Sequence, residues 1–449
     1  MAQDRIAAVP VSIQLQPDAV GLPIAGNFIG FGYETCAVAR EGYFSSNNTH
    51  LVQLYRTLSP LGLVRIGGNV SDHTRYVPDG TPMARSEQET SVINQAVLSD
   101  LGGFLKTTGW KAMWGLNLGT GTKAEAVQEA LAVETALGDR LQSFEIGNEV
   151  DLLPRSNHAY TNYFAAYQDY KAAIRQALPS AVFSGPDVAG ATHWALDFVQ
   201  TEARDMKLLT HHYYRSGAMK PDATIETLLA TDSRWESILQ DLQRTCADHE
   251  VAFRINEVNS FYGGGKAGVS DTFASALWCL DYMFLVAAHG GEGVNMEMDV
   301  NQLGFVSHYS PIFREKNDQL TARPEYYGML AFSIAGQGQL VPLTVSKTGL
   351  NLTAYATKKA PGNIWVTVIN KDQTQEAKLE ITLPKNCSKA SAYRLIAPSV
   401  ASKDQVKLAG REIAPDGTWT PEIIESVPVK AGLADLRMPP TSAVLVHLQ

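Results

Sequence analysis

Apolar residues recur in two patterns along this chain, and the change from one to the other falls near residue 336. Before that point, short apolar runs alternate with segments that carry apolar residues at i, i+3, i+4 and i+7, such as Leu51-Leu54-Tyr55-Leu58. The runs predict buried strands and the other segments predict amphipathic helices. The eight predicted strands cover residues 27–33, 63–66, 112–116, 143–146, 182–185, 208–212, 253–255 and 293–298.

Eight strand–helix alternations are the number that a (β/α)8 barrel requires. The alternative is a doubly wound open sheet, which usually shows a glycine-rich phosphate turn after its first strand. The stretch Phe31-Gly32-Tyr33-Glu34 is not such a turn. The pattern therefore favours an α/β fold with a TIM barrel.

After residue 336 the apolar positions alternate with a period of two, for example in Ile364-Trp365-Val366-Thr367-Val368-Ile369. Turn residues separate these runs, which predicts a C-terminal β-sandwich domain. Residues 6–15 are also strand-like, and we expect them to join that sandwich. The predicted domains are residues 1–20 (the N-terminal strand), 21–335 (the catalytic barrel) and 336–449 (the sandwich).

Composition narrows the class of protein further. The 449 residues are 45% hydrophobic and 18% charged, with a formal net charge of −9, which disfavours nonspecific binding to nucleic acid. No apolar stretch reaches the roughly 18 residues of a membrane span. Cys36, Cys246, Cys279 and Cys387 have no paired spacing, so buried free thiols are expected instead of disulfides, and no zinc motif is present.

The first five residues lack the apolar core of a signal peptide. This leaves two possibilities open: a cytoplasmic protein, or a secreted or periplasmic one whose signal peptide has been removed.

Two short apolar runs end in a glutamate. Glu149 closes Phe144-Glu145-Ile146-Gly147-Asn148-Glu149, and Glu257 closes Phe253-Arg254-Ile255-Asn256-Glu257. Barrel enzymes carry their working groups at the carboxyl ends of the strands, so these carboxylates should face each other after strands four and seven. Paired carboxylates are what glycoside hydrolysis requires, although each alone has an alternative as a helix-start or surface residue.

The stretch from Glu257 to Trp278, which includes Asn259-Ser260-Phe261-Tyr262-Gly263-Gly264-Gly265-Lys266, resembles glycoside hydrolase family 79. That family belongs to clan A of retaining glycosidases and contains β-glucuronidases and heparanases. The resemblance covers nearly the whole chain and includes Leu63-Val64-Arg65-Ile66-Gly67, Gly185-Pro186-Asp187, His212-Tyr213-Tyr214 and Pro324-Glu325-Tyr326-Tyr327.

The resemblance implies that Glu149 is the general acid/base and Glu257 the nucleophile. Asn148 is similar to the asparagine that bonds the sugar 2-hydroxyl, and Tyr213 would orient the nucleophile. Glu34 resembles the acidic residue that bonds sugar hydroxyls. The uronic acid carboxylate would be held by Tyr262, the backbone N–H groups of Gly264 and Gly265, Lys266 and Tyr309. No cofactor and no metal are expected.

Three other interpretations compete. Gly263-Gly264-Gly265-Lys266 superficially resembles a phosphate loop, but Ala267 replaces the Ser or Thr that binds magnesium. His211-His212 suggests a metal, yet adjacent strand residues face opposite sides and no third ligand is evident, so a structural role is favoured. A non-catalytic carbohydrate-binding protein would be expected to lack a catalytic glutamate.

The predicted substrate is an oligo- or polysaccharide that contains glucuronic acid, with heparan sulfate as a candidate. Exo-acting members of the family carry a longer insertion after strand two, whereas residues 78–86 run quickly into the next helix, which favours an open cleft and an endo-acting, heparanase-like enzyme. Exo-β-glucuronidase activity is the alternative. Basic residues on the loops of the catalytic face favour the same endo reading; they are Arg75, Lys123, Arg155, Arg215, Lys220 and Arg314.

Overall fold

The computed structural model describes residues 7–19, 21–85, 89–298, 307–315 and 319–449. Residues 1–5, residue 6 of the predicted N-terminal strand, residue 20 of the predicted first domain and residue 86 of the stretch 78–86 lie outside them.

A closed barrel of eight parallel strands forms the centre of the molecule, and each strand pairs with its neighbours in chain order until the eighth meets the first. The (β/α)8 prediction is therefore confirmed. The barrel strands, numbered one to eight, are Gly30–Glu34, Leu63–Gly67, Lys111–Leu116, Leu141–Ile146, Phe183–Val188, Met206–Gly217, Ala252–Tyr262 and Gly293–Met298.

Helices cover the outside of the barrel and pack on it through apolar faces such as Leu51, Leu54 and Leu58. Several begin at the capping residues that the backbone requires. Thr122 and Glu125, for example, form a reciprocal capping box. The helices are α1 (Thr49–Leu58), α2 (Gln95–Thr108), α3 (Lys123–Leu137), α4 (Tyr160–Ala177), α5 (Thr192–Glu202), α6 (Ile225–Leu229), α7 (Ser233–Asp248), α8 (Phe273–Ala288) and α9 (Pro324–Ala335).

Strands six and seven extend well beyond the barrel wall and stay paired as far as Gly217 and Tyr262. Their register shifts between His211 and His212, where Asn256 is an extra residue on strand seven. Glu257 therefore lies within strand seven. The sequence pattern had predicted that Glu257 terminates the strand, and this prediction is wrong. The apolar run was too short to show that the strand continues, because its later residues are polar or aromatic.

The remaining strands form two sheets with an apolar layer between them that includes Val366, Val368, Leu379 and Ile381. One sheet has the order Leu343–Val345, Val9–Leu15, Ala377–Thr382, Leu433–Met438 and Val429–Lys430. The other has the order Pro23–Ile24, Gly338–Leu340, Leu352–Ala360, Asn363–Asn370, Ser442–Leu448, Ala390–Ile396 and Lys407–Leu408, with Glu425–Val427 beside Ala390–Ile396. Two short pairs complete the strands: Thr74–Tyr76 with Ser91–Ile93, and Ile312–Arg314 with Leu320–Ala322.

The strand Val9–Leu15 pairs in parallel with Ala377–Thr382, so the N-terminal strand enters the sandwich sheet as expected from its composition. The exact domain limits at residues 20/21 and 335/336 stay a prediction. No helix in the described part of the chain is both long enough and apolar enough to cross a membrane.

Candidate active site

Glu149 lies in a tight turn after strand four, with its backbone in the left-handed region at φ 43°. Few residues other than glycine adopt this conformation, and it concentrates at functional sites. The turn is closed because the N–H groups of Leu152 and Leu153 both donate to the Glu149 carbonyl, at 2.7 and 3.0 Å. The Glu149 carboxylate thus lies on a strained stretch of backbone, which the surrounding residues must hold in place.

Two buried aspartates hold the turn from either side. The Asp72 carboxylate accepts the N–H of Asn148 at 3.2 Å and also those of Leu118 and Gly119. Asp151 accepts three N–H groups from residues 189–191, just before α5. The loops after strands two to five are therefore fastened to the turn that carries Glu149.

Arg65, on strand two, lies fully buried on the barrel axis beneath the site. Its guanidinium donates to Glu257 at 2.7 Å, to Asn148 and Asp187 at 2.6 Å, and to Glu145 at 3.2 Å. Burial disfavours its charge, but the surrounding carboxylates outweigh that cost and raise its pKa further. Arg65 therefore fixes the nucleophile candidate and Asn148 with a single rigid group.

Two acidic side chains lie next to each other below Arg65. Asn256 donates to both Glu145 and Asp187. Burial and the nearby Asp187 raise the pKa of Glu145 well above its ordinary value. Burial would also raise the pKa of Asp187, but Arg65 and His212 bring it well below the usual range. We therefore assign a proton to Glu145 and a negative charge to Asp187.

His212 lies between the two candidate catalytic carboxylates. Its Nδ1 is 3.3 Å from Oε1 of Glu149 and 3.6 Å from Oε2 of Glu257, and its Nε2 is 3.4 Å from Oδ1 of Asp187. Burial lowers the pKa of His212, but Glu257 and Asp187 more than reverse this and raise it well above its ordinary value. This shift favours the protonated, positively charged ring.

One atom each of Glu149, His212 and Glu257 lies within 4.8 Å of the others, which is also a geometry that could hold a metal ion. His212 is thus joined by two further potential ligands that sequence reasoning did not find. However, a protonated imidazole has no lone pair to give a metal. Binding of a metal ion would therefore require the ring to lose its proton.

The Glu257 carboxylate receives a donor on each oxygen, from Arg65 on Oε2 and from the Tyr214 hydroxyl on Oε1 at 2.9 Å. The prediction that Tyr213 orients the nucleophile is wrong. The Tyr213 hydroxyl donates to Asp232 instead, and its ring packs against Trp235 and Tyr282 outside the barrel. Side chains alternate along a strand, so Tyr214 faces inward together with His212 while Tyr213 faces the helices.

The surroundings of Glu149 favour its protonated form. Burial, together with the charges of Glu257 and Asp151, raises its pKa above the ordinary value despite the opposing effect of His212. A carboxyl group that keeps its proton near neutral pH suits a general acid. The oxygens of Glu149 and Glu257 approach within 4.8 Å. Retaining glycosidases place these groups about 5–5.5 Å apart, whereas inverting ones need about 6.5–9.5 Å.

The segment after strand seven carries the residues predicted to hold a uronic acid. Gly263, Gly264 and Gly265 all have φ near +80°, a backbone that only glycine adopts easily. The N–H of Gly265 donates to the Phe261 carbonyl at 3.1 Å, so it is already engaged and the predicted bond from it to the substrate is wrong. Among the described residues, the Gly264 N–H and the Lys266 ammonium have no partner.

Two tyrosines continue this surface towards the nucleophile. The Tyr214 ring lies edge-on to Tyr262 at 6.2 Å and stacks with Tyr309 at 6.3 Å. Tyr262 is half exposed, at 51%. Tyr262 and Tyr309 thus flank the side chain that contacts Glu257, and their roles towards a substrate stay predictions.

Glu34 and Asn148 are both engaged in the protein. The Glu34 carboxylate accepts the N–H groups of Asn69 and Val70 at 3.2 and 2.7 Å, which anchors the loop after strand two. Asn148 accepts from Arg65 and donates one amide N–H to Asn69 at 3.0 Å. One further amide proton of Asn148 remains for a ligand.

Most of the basic residues predicted to line a cleft are engaged by partners within the protein. Arg75, Lys123 and Arg215 pair with Glu125, Asp169 and Asp232. Arg155 donates to the carbonyls of Leu118 and Gly121 and to Tyr170. The three ion pairs and the bonds of Arg155 count against a continuous basic surface, because the paired carboxylates lie on α3, on α4 and at the start of α7.

Residues 31–283, more than half of the chain, match the model of "Glycosyl hydrolase family 79, N-terminal domain". A β-glucuronidase of Aspergillus niger is 26% identical over 431 residues, which cover 86% of this chain and 79% of that protein. Mouse heparanase is 28% identical over 228 residues, 47% of this chain and 42% of that protein.

Among solved structures, a 4-O-α-L-rhamnosyl-β-D-glucuronidase from Fusarium oxysporum superposes with a TM-score of 0.78 at 19% identity, covering 97% of this chain and all of that one. This likeness shows the shared fold. Together with the family match, it leads to one conclusion: the chain belongs to glycosyl hydrolase family 79 and is a glycoside hydrolase.

Proposed function

We propose that the protein is a retaining β-D-glucuronidase. The observation that carries this proposal is the approach of one oxygen of Glu149 to one oxygen of Glu257 within 4.8 Å, where burial raises the pKa of Glu149 and two donors hold Glu257. Inversion requires a water molecule between the second carboxylate and the sugar, and this spacing leaves no room for one.

In this mechanism, Glu257 attacks the anomeric carbon while Glu149 gives its proton to the leaving oxygen. Glu149 then takes a proton from the water that releases the sugar from Glu257. His212 lies within 3.6 Å of both carboxylates, so a positive charge on its ring would stabilise whichever of them is ionised.

The preference for glucuronides rests on the segment after strand seven and on the relatives. Lys266 offers an unpaired ammonium, and Gly264 an unpaired N–H, beside the exposed ring of Tyr262. A charged donor of this kind suits the carboxylate of a uronic acid. The spare amide proton of Asn148 is suited to the sugar 2-hydroxyl. Relatives named β-glucuronidase from Aspergillus niger and heparanase from mouse support the same sugar.

Endo cleavage of heparan sulfate is a second candidate, and it is favoured by the loop after strand two. Gly80 closes a turn onto Val77, and Met83 forms an isolated antiparallel bridge with Val92. Such a short loop supports a cleft that is open on that side. The pairing of the basic loop residues counts against a strongly sulfated polymer.

A product assay tests both the retaining β-glucuronidase activity and the choice between endo and exo cleavage. The purified protein should hydrolyse an aryl β-glucuronide much faster than the matching β-glucoside, and NMR should show the β-anomer as the first product. Equal rates on both sugars would contradict the uronate preference, and the α-anomer would contradict retention. With heparan sulfate, early shortening of the chains would support endo action, whereas free glucuronic acid with unchanged polymer length would leave the exo enzyme.

A further inference from the structure

The segment 263–271 carries Lys266 and is folded tightly onto the end of strand seven. The Lys266 N–H donates to the Ser270 hydroxyl at 2.8 Å, and Ser260 on strand seven donates to that same hydroxyl at 2.8 Å. A side chain at Gly265 would collide with Ser270 and with the backbone of Tyr309. The position of Lys266 therefore depends on how this segment is held.

Asp271 closes the segment with both of its oxygens. Oδ1 accepts the N–H of Gly268 at 2.6 Å, and Oδ2 lies 2.8 Å from the ammonium of Lys403 and 3.5 Å from Nδ1 of His308. Asp271 is buried, with 9% of its side chain exposed. Lys403 belongs to the turn that follows the sandwich strand Ala390–Ile396, far along the chain from the barrel.

The same turn also holds the helix that follows the segment. Helix α8 has no side-chain cap, and its first N–H groups, those of Phe273 and Ala274, donate instead to the carbonyls of Ser402 and Val400, at 2.8 and 2.9 Å. The sandwich thus accepts the first N–H groups of the helix through its backbone carbonyls, and it contacts the segment 263–271 through the side chain of Lys403. The backbone contacts do not depend on which side chain residue 403 carries.

We propose that Lys403 of the sandwich is a positioning residue that, through Asp271, sets the place of Lys266 and with it the affinity for glucuronides. The inference rests on the proposed function, because it takes Lys266 as the group that meets the uronic acid. Removing the ammonium takes away the cation that lies 2.8 Å from the buried carboxylate of Asp271 and leaves Arg323 and the His308 ring near it, so Asp271 holds the turn at Gly268 less firmly. Lys266, two residues away, then loses its alignment with the substrate.

The variants Lys403→Met, Lys403→Arg and Asp271→Asn test this relay. The asparagine keeps an oxygen for the Gly268 N–H and replaces the charged oxygen that faces Lys403 by an amide NH2 group, which cannot accept from the ammonium. Lys378→Met is the matched control, since Lys378 is a sandwich lysine paired with Glu380 and Asp435 away from the segment. The measurements are kcat and KM for an aryl β-glucuronide, and the inhibition constant of free D-glucuronate.

We expect KM and the inhibition constant to rise about five- to tenfold in Lys403→Met and Asp271→Asn, with kcat nearly unchanged. The double variant should be no worse than either single one, and Lys403→Arg and Lys378→Met should resemble the parent. Unchanged constants in Lys403→Met, or a loss of kcat and thermal stability alone, would overturn the inference.

Lys266→Ala separates this inference from the function on which it rests. If Lys266→Ala weakens glucuronate while Lys403→Met does not, the relay is wrong and the proposed uronate site stands. If Lys266→Ala leaves glucuronate affinity unchanged, the uronate site itself is wrong.

Discussion

The hydroxyl of Tyr214 donates to Oε1 of Glu257 at 2.9 Å, on the side of the carboxylate opposite to Arg65. Strand six supplies one donor and strand two the other, and both strands belong to the closed barrel. A carboxylate held in this way has one orientation towards the anomeric carbon. The reactivity of Glu257 therefore depends on these two donors as well as on its own position in strand seven.

Replacing Tyr214 by Phe should lower kcat roughly tenfold to a hundredfold, because the nucleophile loses one of its two orienting donors. The control is the neighbouring Tyr213→Phe, which removes a hydrogen bond to Asp232 outside the barrel and should leave kcat within about twofold. Steady-state kinetics on an aryl β-glucuronide distinguish the two. Equal losses in both variants would refute the assignment of Tyr214.

Replacing Glu149 by Gln should leave kcat/KM nearly unchanged for a substrate whose leaving group departs without a proton, such as a dinitrophenyl glucuronide. For alkyl or sugar leaving groups, the same variant should lose about 10²–10⁴-fold, since general acid catalysis is gone. The parent should also lose activity on these substrates as pH rises through the elevated pKa of Glu149. A uniform loss across all leaving groups would show that Glu149 is not the acid.

Glu129 offers a test of stability against pH. It is buried and accepts the indole N–H of Trp114 at 2.8 Å, and burial raises its pKa to about 8. Because the folded protein holds the proton of Glu129 more tightly than the unfolded chain does, this proton stabilises the fold fully at pH values below the ordinary pKa of about 4.5. The contribution is lost as the pH rises from there towards 8.

Glu129→Gln keeps the acceptor for Trp114 and removes this titration. The variant should therefore gain stability relative to the parent by about 1 kcal/mol per pH unit between pH 5 and pH 8. Denaturant unfolding at several pH values measures the difference, and a difference that stays constant across that range would be inconsistent with a buried, titrating Glu129.

Arg155 should matter for stability and hardly at all for polymer binding. Arg155→Met leaves the carbonyl of Leu118 without its donor, whereas the carbonyl of Gly121 keeps the Tyr170 hydroxyl, and it should cost about 1–2 kcal/mol of unfolding free energy. Arg75→Met is the control. It loses only the exposed ion pair with Glu125, whose charged atoms are 3.9 Å apart, and should cost less than about 0.5 kcal/mol of unfolding free energy. A large, salt-dependent rise in KM for heparan sulfate in Arg155→Met would restore the idea of a basic cleft.

The barrel and the positions of Glu149 and Glu257 could be predicted because a local pattern encodes them, namely apolar runs of strand length that end in a carboxylate. The choice between Tyr213 and Tyr214 could not be made without the register. The extra residue Asn256 changes which side chains on strand seven meet those on strand six. Only the observation that His212 faces inward would have indicated Tyr214, since residues two apart share a face.

The role of Arg65 is harder to predict, because its four partners come from strands four, five and seven and from the turn after strand four. The same holds for the basic loop residues. Lys123 and Asp169, for instance, are brought together by the packing of α3 and α4. Charge counted along a sequence records the cations but not the carboxylates that neutralise them.

The most direct test of a retaining mechanism is to trap the sugar on the enzyme. A 2-deoxy-2-fluoro-β-glucuronide with an activated leaving group should inactivate the protein with a stoichiometric burst, and mass spectrometry of the digested protein should place the sugar on Glu257. Replacing Glu257 by Gln should abolish the label. A label on another residue, or turnover that never passes through a covalent adduct, would contradict the account.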